Sequence, residues 1–285
     1  MNINWRKNVI LKKSRRYWFA AYREFWKLRP NDNSRLTHPP ILVNSIPKSG
    51  THLLMQIVSA LPSALDSGNF IASTPSFTMR EANTEAISMR IEKLLPNEIC
   101  GGHIFYHELY NESIKSTNAL HLFIYRDPRD ICISEAHYLS DMNRWHRLHR
   151  PFSSLTTLKD RVDLSIYGMP DRRELYYPSI LERYERFLPW LDQPNVLPIK
   201  FEDLQTGMLP AIVKTIFERY NEKTPNRLEL ETITEEAIAR IMPSESHTFR
   251  SGKIEQWRKH MCAEQLDYFN ENCAHILDRL DYPLR

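Results

Sequence analysis

The sequence predicts an α/β fold, a single domain with a mostly parallel central sheet flanked by helices. Three observations predict it. Short apolar, β-prone runs occur at residues 41–46 (ILVNSI), 120–125 (LHLFIY) and 196–201 (VLPIKF), and a helix-forming stretch follows each. The first two runs are nearly continuous in apolar character, as expected of strands covered on both faces. The length of 285 residues, with 42% hydrophobic and 26% charged, suits one large globular domain rather than a disordered or fibrous chain.

The elements follow in order. Residues 3–28 read as an aromatic-rich helix, and the polar stretch NDNSRLTHPP at 31–40 ends it with two prolines. Strand 41–46 leads into a helix over 51–61. Strand 120–125 leads into a helix over 128–139, with Asp127 placed to cap it and Pro128 at its first position. Strand 196–201 is weaker, because Pro198 belongs at a sheet edge or a bulge. Helices follow over 208–220 and 262–280. Residues 65–95 and 141–170 show no clean period and read as candidate substrate loops. The division expected is an N-terminal helix and linker, 1–40, before one domain, 41–285.

Composition excludes several functions. No apolar run reaches the roughly 20 residues a membrane helix needs. The four cysteines form no C-x-x-C pair and read as reduced thiols, which gives a cytoplasmic expectation. The net charge of +3 is uneven: residues 1–29 carry nine Lys/Arg and one acid, leaving the rest at −5. That balance argues against a nucleic-acid partner. The cationic arm carries seven aromatic residues and reads equally as a packing element or as a peripheral membrane contact.

Four segments carry chemistry. In the first, strand 41–46 runs through Pro47-Lys48-Ser49-Gly50 into a helix beginning at Thr51-His52. Free amides at a helix start make an anion site. Lys48 adds charge, Ser49 and Thr51 add hydroxyls, and Gly50 lets the backbone approach closely. The lysine precedes the glycine, so this is not the nucleotide-triphosphate loop G-x-x-x-x-G-K-[ST]. In the second, a strand ends at Arg126, which can fork onto a phosphate, and Ser134 follows eight residues later. The third, Arg250-Ser251-Gly252-Lys253 before Trp257, can wrap a second phosphate. The fourth is Gly101-Gly102-His103, a histidine between the two phosphate segments. Each also has a plain structural reading as a turn, a capped helix, a surface loop or a buried imidazole.

Together the segments resemble the sulfotransferase superfamily, specifically the cytosolic-type branch that uses 3′-phosphoadenosine 5′-phosphosulfate (PAPS). The resemblance implies a P-loop-like, nucleotide-kinase-like fold over most of the chain. It implies that Lys48, Ser49, Gly50, Thr51 and His52 hold the 5′-phosphosulfate. Arg126 and Ser134 would hold the 3′-phosphate, helped by Arg250, Ser251 and Gly252. His103 would be the general base, with Lys48 also catalytic, and adenosine 3′,5′-bisphosphate would leave. No metal is required. Five positions depart from the family pattern. His52 and Leu53 replace a threonine and a tryptophan, Ser251 stands where the late loop has a lysine, Phe201 stands where a tyrosine faces adenine, and Gly101 stands where the base's lysine neighbour would be.

The acceptor is not legible. A small molecule, a glycan or a lipid-linked hydroxyl or amine all fit, and the basic run Arg144–Arg150 is a candidate for holding it. His103 and His107 could in principle ligate zinc, but no third ligand has a matching spacing. Glu108 is the reserve base. A nucleotide kinase, or a non-catalytic nucleotide- or membrane-binding protein on the same fold, are the alternatives. Oligomeric state is not legible either.

Overall fold

Five parallel strands form one sheet in the order β2-β3-β1-β4-β5. The computed structural model describes Trp18, Ala21 and residues 34–172, 174–242 and 252–284. The strands are β1 (Ile41–Ser45), β2 (Leu65–Ala72), β3 (Glu98–His103), β4 (Leu120–Tyr125) and β5 (Val196–Lys200). β1 is central and fully buried, as its apolar run requires. Its side chains alternate between two cores. Ile41 and Val43 face the helices Thr51–Val58, Leu209–Asn221 and Leu230–Ala239. Leu42 faces the other layer, which includes Pro128–His137 and Ile180–Glu185.

All strands point the same way, so their carboxyl ends gather at one edge. From β1 the chain leaves toward β2 on one side, and from β4 it leaves toward β5 on the other. β1 and β4 therefore flank the switch point where ligands of open α/β sheets bind. The segments after these two strands are those singled out from the sequence, at Lys48 and Arg126.

Pro198 lies on β5, an edge strand paired only with β4 among the described residues. That is where a residue without an amide hydrogen belongs. Asp127 caps the helix Pro128–His137 through the amide of Arg129, with Pro128 in its first turn. Other readings need correction. Residues 65–95 are not a loop: they contain β2 and the helix Thr84–Glu92. β2 reads LDSGNFIA, and its polar, glycine-containing middle hid it. Residues 141–170 contain the helices His149–Ser153 and Leu158–Tyr167. The last helix is two, Ala263–Asn272 and Ala274–Arg279, broken at Cys273. The expected arm helix 3–28 lies outside the described residues except for Trp18 and Ala21, which are helical. Among the described residues, no helix is long and apolar enough to cross a membrane.

One turn fixes the wall of the site. The helix Leu158–Tyr167 ends at Gly168, with φ 70° and ψ −153°, a conformation essentially reserved for glycine. The amide of Met169 donates to the carbonyl of Tyr177 at 2.7 Å, which seats the segment carrying Tyr176 and Tyr177. A Cβ at Gly168 would lie 2.4 Å from the Tyr177 carbonyl oxygen. Gly168→Ala is expected to destabilise the protein by at least about 2 kcal/mol, because strain and a backbone clash coincide. A denaturation midpoint equal to that of the parent protein would refute this account.

Candidate active site

The site begins with two polar residues at the end of β1. Asn44 and Ser45 are fully buried in an otherwise apolar strand. The Asn44 side chain forks onto the backbone of Ile104, donating to its carbonyl at 3.1 Å and accepting from its amide at 2.8 Å. The Ser45 hydroxyl donates to the Gly102 carbonyl at 3.1 Å and shares a 2.6 Å hydrogen bond with the Thr51 hydroxyl. His103 Nδ1 lies 3.1 Å from the Ser45 carbonyl and 3.0 Å from its hydroxyl. A carbonyl only accepts, so the proton sits on Nδ1 and Nε2 keeps its lone pair. His103 lines a cavity of about 890 Å³.

Burial lowers the His103 pKa to about 4; the bond to Ser45 opposes the shift, and the charges of His52 and Lys48 add to it. The Phe70 ring packs edge-on against His103 at 4.9 Å. The same ring covers Gly101, where a Cβ would meet it at 2.7 Å. The neighbour of His103 is thus an aromatic ring, and Gly101 supplies no side chain.

The loop after β1 is tight. Lys48 and Gly50 both have positive φ, 71° and 99°. Gly50 is required twice over, since a Cβ there would lie 2.6 Å from the Phe201 ring. Lys48 lays its ammonium 3.6 Å from the centre of the Tyr138 ring. The Ser49 hydroxyl is buried and has no hydrogen-bond partner among the described residues. The Thr51 hydroxyl lies 2.6 Å from that of Ser45, at the start of the helix Thr51–Val58.

Arg126 leaves β4 on the other side of the cavity. Its guanidinium donates to Asp130 at 3.0 Å and to the Lys253 carbonyl at 2.8 Å, and it stacks on Phe201 at 4.5 Å. Its buried Nε has no partner among the described residues. Asp130 also accepts from the Trp257 amide at 3.0 Å, which ties the late loop to this helix. Trp257 in turn packs on the Arg129 guanidinium at 3.8 Å. Ser134, one turn beyond Asp130, is half-buried in the same wall.

Lys48, Gly50, Thr51, His52, His103, Arg126, Ser134, Phe201 and Gly252 therefore all line one cavity, and Ser49 lies beneath its loop. Arg250 and Ser251 lie outside the described residues. His107 is turned away, capping the helix Glu108–Ser116 through the Leu109 amide. Glu108 is exposed, accepts from Tyr106 and does not line the cavity, so the structure does not bring the reserve base to the site. Among the described residues, no cluster of His, Cys, Asp and Glu could hold a metal.

Sequence reasoning missed several wall residues. Leu204, Leu209 and Ile241 join Leu53 and Phe201 as an apolar lining, and nothing in their local sequence marks them. Glu135 was also missed. It is buried against Arg183 at 2.7 Å and accepts from Ser165 and Tyr177. Burial works to raise its pKa, but Arg183 and these hydrogen bonds win and lower it. Asn44 and Ser45 did carry a signal, as polar residues closing a buried strand.

The sulfotransferase domain model matches residues 38–281, so the chain belongs to that family. Human sulfotransferase 6B1 is 24% identical over 245 residues, covering 80% of this chain and 72% of that protein. The amine sulfotransferase of Oryctolagus cuniculus is 21% identical over 278 residues, covering 89% and 85%. Among solved structures, mouse sulfotransferase SULT7A1 complexed with PAP superposes with a TM-score of 0.60 at 19% identity, covering 87% of this chain and 86% of that one. Retinol dehydratase with androsterone and the inactive cofactor PAP superposes with a TM-score of 0.54 at 16% identity, covering 86% and 82%.

Three histidines make stability depend on pH. Burial lowers His103 and His146 to about 4 and His121 to about 3, below the ordinary 6.5. Between those limits the unfolded chain takes up protons that the folded chain refuses. Stability is therefore expected to fall as the pH drops from about 6.5 towards 4. Thermal midpoints across this range check it, and His121→Phe should flatten the slope. A proton NMR titration of the His103 ring should give a midpoint near 4, and a midpoint near 6.5 would contradict the burial argument.

Proposed function

We propose that the chain transfers the sulfuryl group of PAPS to a hydroxyl acceptor, with His103 as general base. The observation that carries this reading is the convergence on one cavity of two anion-binding loops and a histidine whose free nitrogen is fixed by Ser45. Membership of the sulfotransferase family and the PAP-bound structural relatives support the choice of donor.

The residues present fit such a donor. The orphaned Ser49 hydroxyl and Arg126 Nε are buried polar atoms without partners, and each is a donor to an anion. Lys48 and the first-turn amides of the helix Thr51–Val58 hold the sulfate-bearing phosphate. Arg126 and Ser134, with Gly252, hold the 3′-phosphate, and Arg250 and Ser251 are assigned the same role from the sequence. Leu53, Phe201 and Ile241 flank the base, replacing a tryptophan stack with apolar packing. When bound, PAPS supplies an activated sulfuryl group that needs no metal to leave.

This chain's residues do the rest. His103 Nε2 takes the acceptor proton as the acceptor oxygen bonds to sulfur and the bond from sulfur to the bridging oxygen breaks. Lys48 stabilises the charge that develops on the leaving phosphate oxygen. The acceptor half of the cavity is aromatic, with Phe70, Phe77, Phe105, Tyr138 and Tyr176 in its wall. Two acids line the cavity, Asp130 and Glu135, and each is paired with an arginine. An ammonium acceptor would find no free carboxylate there, which favours a hydroxyl.

Transfer of labelled sulfate from PAPS to a panel of phenols, alcohols and amines tests the reading. His103→Ala should lower kcat by ~10²–10⁴ with donor affinity nearly intact, and activity should survive a chelator. Arg126→Ala should weaken adenosine 3′,5′-bisphosphate binding at least about tenfold. The same change should leave adenosine 5′-phosphate binding little altered. Equal losses for both ligands would remove the 3′-phosphate assignment.

A further inference from the structure

The two most exposed large apolar side chains among the described residues are Trp145, 93% exposed, and Phe77, 73% exposed. Isolated exposed apolar residues are ordinary, but these two stand at one place. Phe77 lines the cavity mouth, and so do His146 and Leu148 on either side of Arg147. The two loops are joined there, the Arg147 amide donating to the Ser76 carbonyl at 2.9 Å. Met142, 41% exposed, stands at the start of the same loop.

Charge accompanies the rings. Arg144, Arg147 and Arg150 are all exposed, and none has an ion pair among the described residues. No acid occurs from residue 142 to 159, although the chain beyond residue 29 is net negative. We propose that this rim docks the cavity mouth onto an anionic lipid bilayer, with Trp145 and Phe77 at headgroup depth and the three arginines on the lipid phosphates. The acceptor then enters from the lipid side.

The geometry favours a bilayer over a protein. A protein interface buries a contiguous patch of about 800 Å² per partner, whereas here two exposed rings stand on separate loops, with three exposed arginines on the loop of Trp145. Projecting rings flanked by arginine suit the membrane–water boundary, where the amphipathic indole and the guanidinium both find partners. The contact uses residues other than those of the basic arm 1–29 and does not depend on the transfer reaction.

Co-sedimentation of the full chain with vesicles tests it. Vesicles of phosphatidylcholine with roughly a third phosphatidylserine should pellet the protein at low salt, and salt of about 0.5 M should release it. Pure phosphatidylcholine vesicles should bind it weakly. Trp145→Ser, and separately the triple change Arg144→Gln, Arg147→Gln and Arg150→Gln, should each lower partitioning at least about tenfold. Brominated lipid should quench a fluorescence component that Trp145→Ser removes. All four side chains are exposed, so circular dichroism and the thermal midpoint should match the parent protein. Absence of pelleting at low salt would overturn the proposal. So would unchanged binding by both variants, which would move the contact to residues 1–29. A dimer that Trp145→Ser dissociates, with no vesicle binding, would give the rim to a second copy and equally overturn it.

Discussion

The bond between the end of β1 and the end of β3 is the constraint on which the site depends. Parallel pairing sets Asn44 beside Gly102. From there, Asn44 grips both polar groups of the Ile104 peptide, and Ser45 grips His103. Trp190 adds a third contact, donating to the Ile104 carbonyl at 2.8 Å. A parallel ladder cannot by itself orient a side chain at a strand terminus, because pairing stops there. These side-chain bonds extend the order by two residues, and they set the tautomer of the imidazole as well as its position. The bonds to the Ile104 peptide are buried, so losing one would leave unpaired polar groups away from water.

Phe201 performs the matching function for the two anion loops. One face of its ring lies against Gly50 and limits what can stand there, while the Arg126 guanidinium stacks at 4.5 Å. The residue follows β5, whose register against β4 is regular throughout, so its position is set by the sheet. Loop and guanidinium cannot move independently without losing contact with this ring. The phosphate-holding groups are thereby spaced by packing before any anion arrives, which limits the entropy lost on binding.

The amount legible in the sequence followed from how locally each feature is determined. β1 and β4 were legible because strands buried on both faces are apolar throughout, and the helix at Pro128 because Asp127 and Pro128 announce it. β2 was not, since an edge strand with Asp66, Ser67, Gly68 and Asn69 reads as a turn, and only pairing with β3 makes it a strand. Lys48, Arg126 and His103 were legible through residue type and order. The wall residues Leu204 and Ile241 were not, because they are brought to the cavity by the packing of distant helices. The contact between the Thr51 and Ser45 hydroxyls was not legible for a related reason, since the neighbouring strand supplies the partner. The reserve role for Glu108 failed because the chain turns at His107 to start a helix and carries the carboxylate to the surface.

A pKa near 4 makes His103 a weak base, and the causes of the shift bear on how it can work. Burial is the largest, but the positive charges of Lys48 and His52 also push the value down. Both residues belong to the anion loop. An anion held by that loop would offset their charge, removing part of the penalty on imidazolium and moving the pKa back towards its ordinary range. Burial would persist, with Phe70 keeping the ring from bulk water. The proton affinity of the base is thus tied to occupancy of the neighbouring loop through charge alone, with no movement required. An anion in that loop would thus make the neutral imidazole a stronger proton acceptor, and an empty loop would leave it a weaker one.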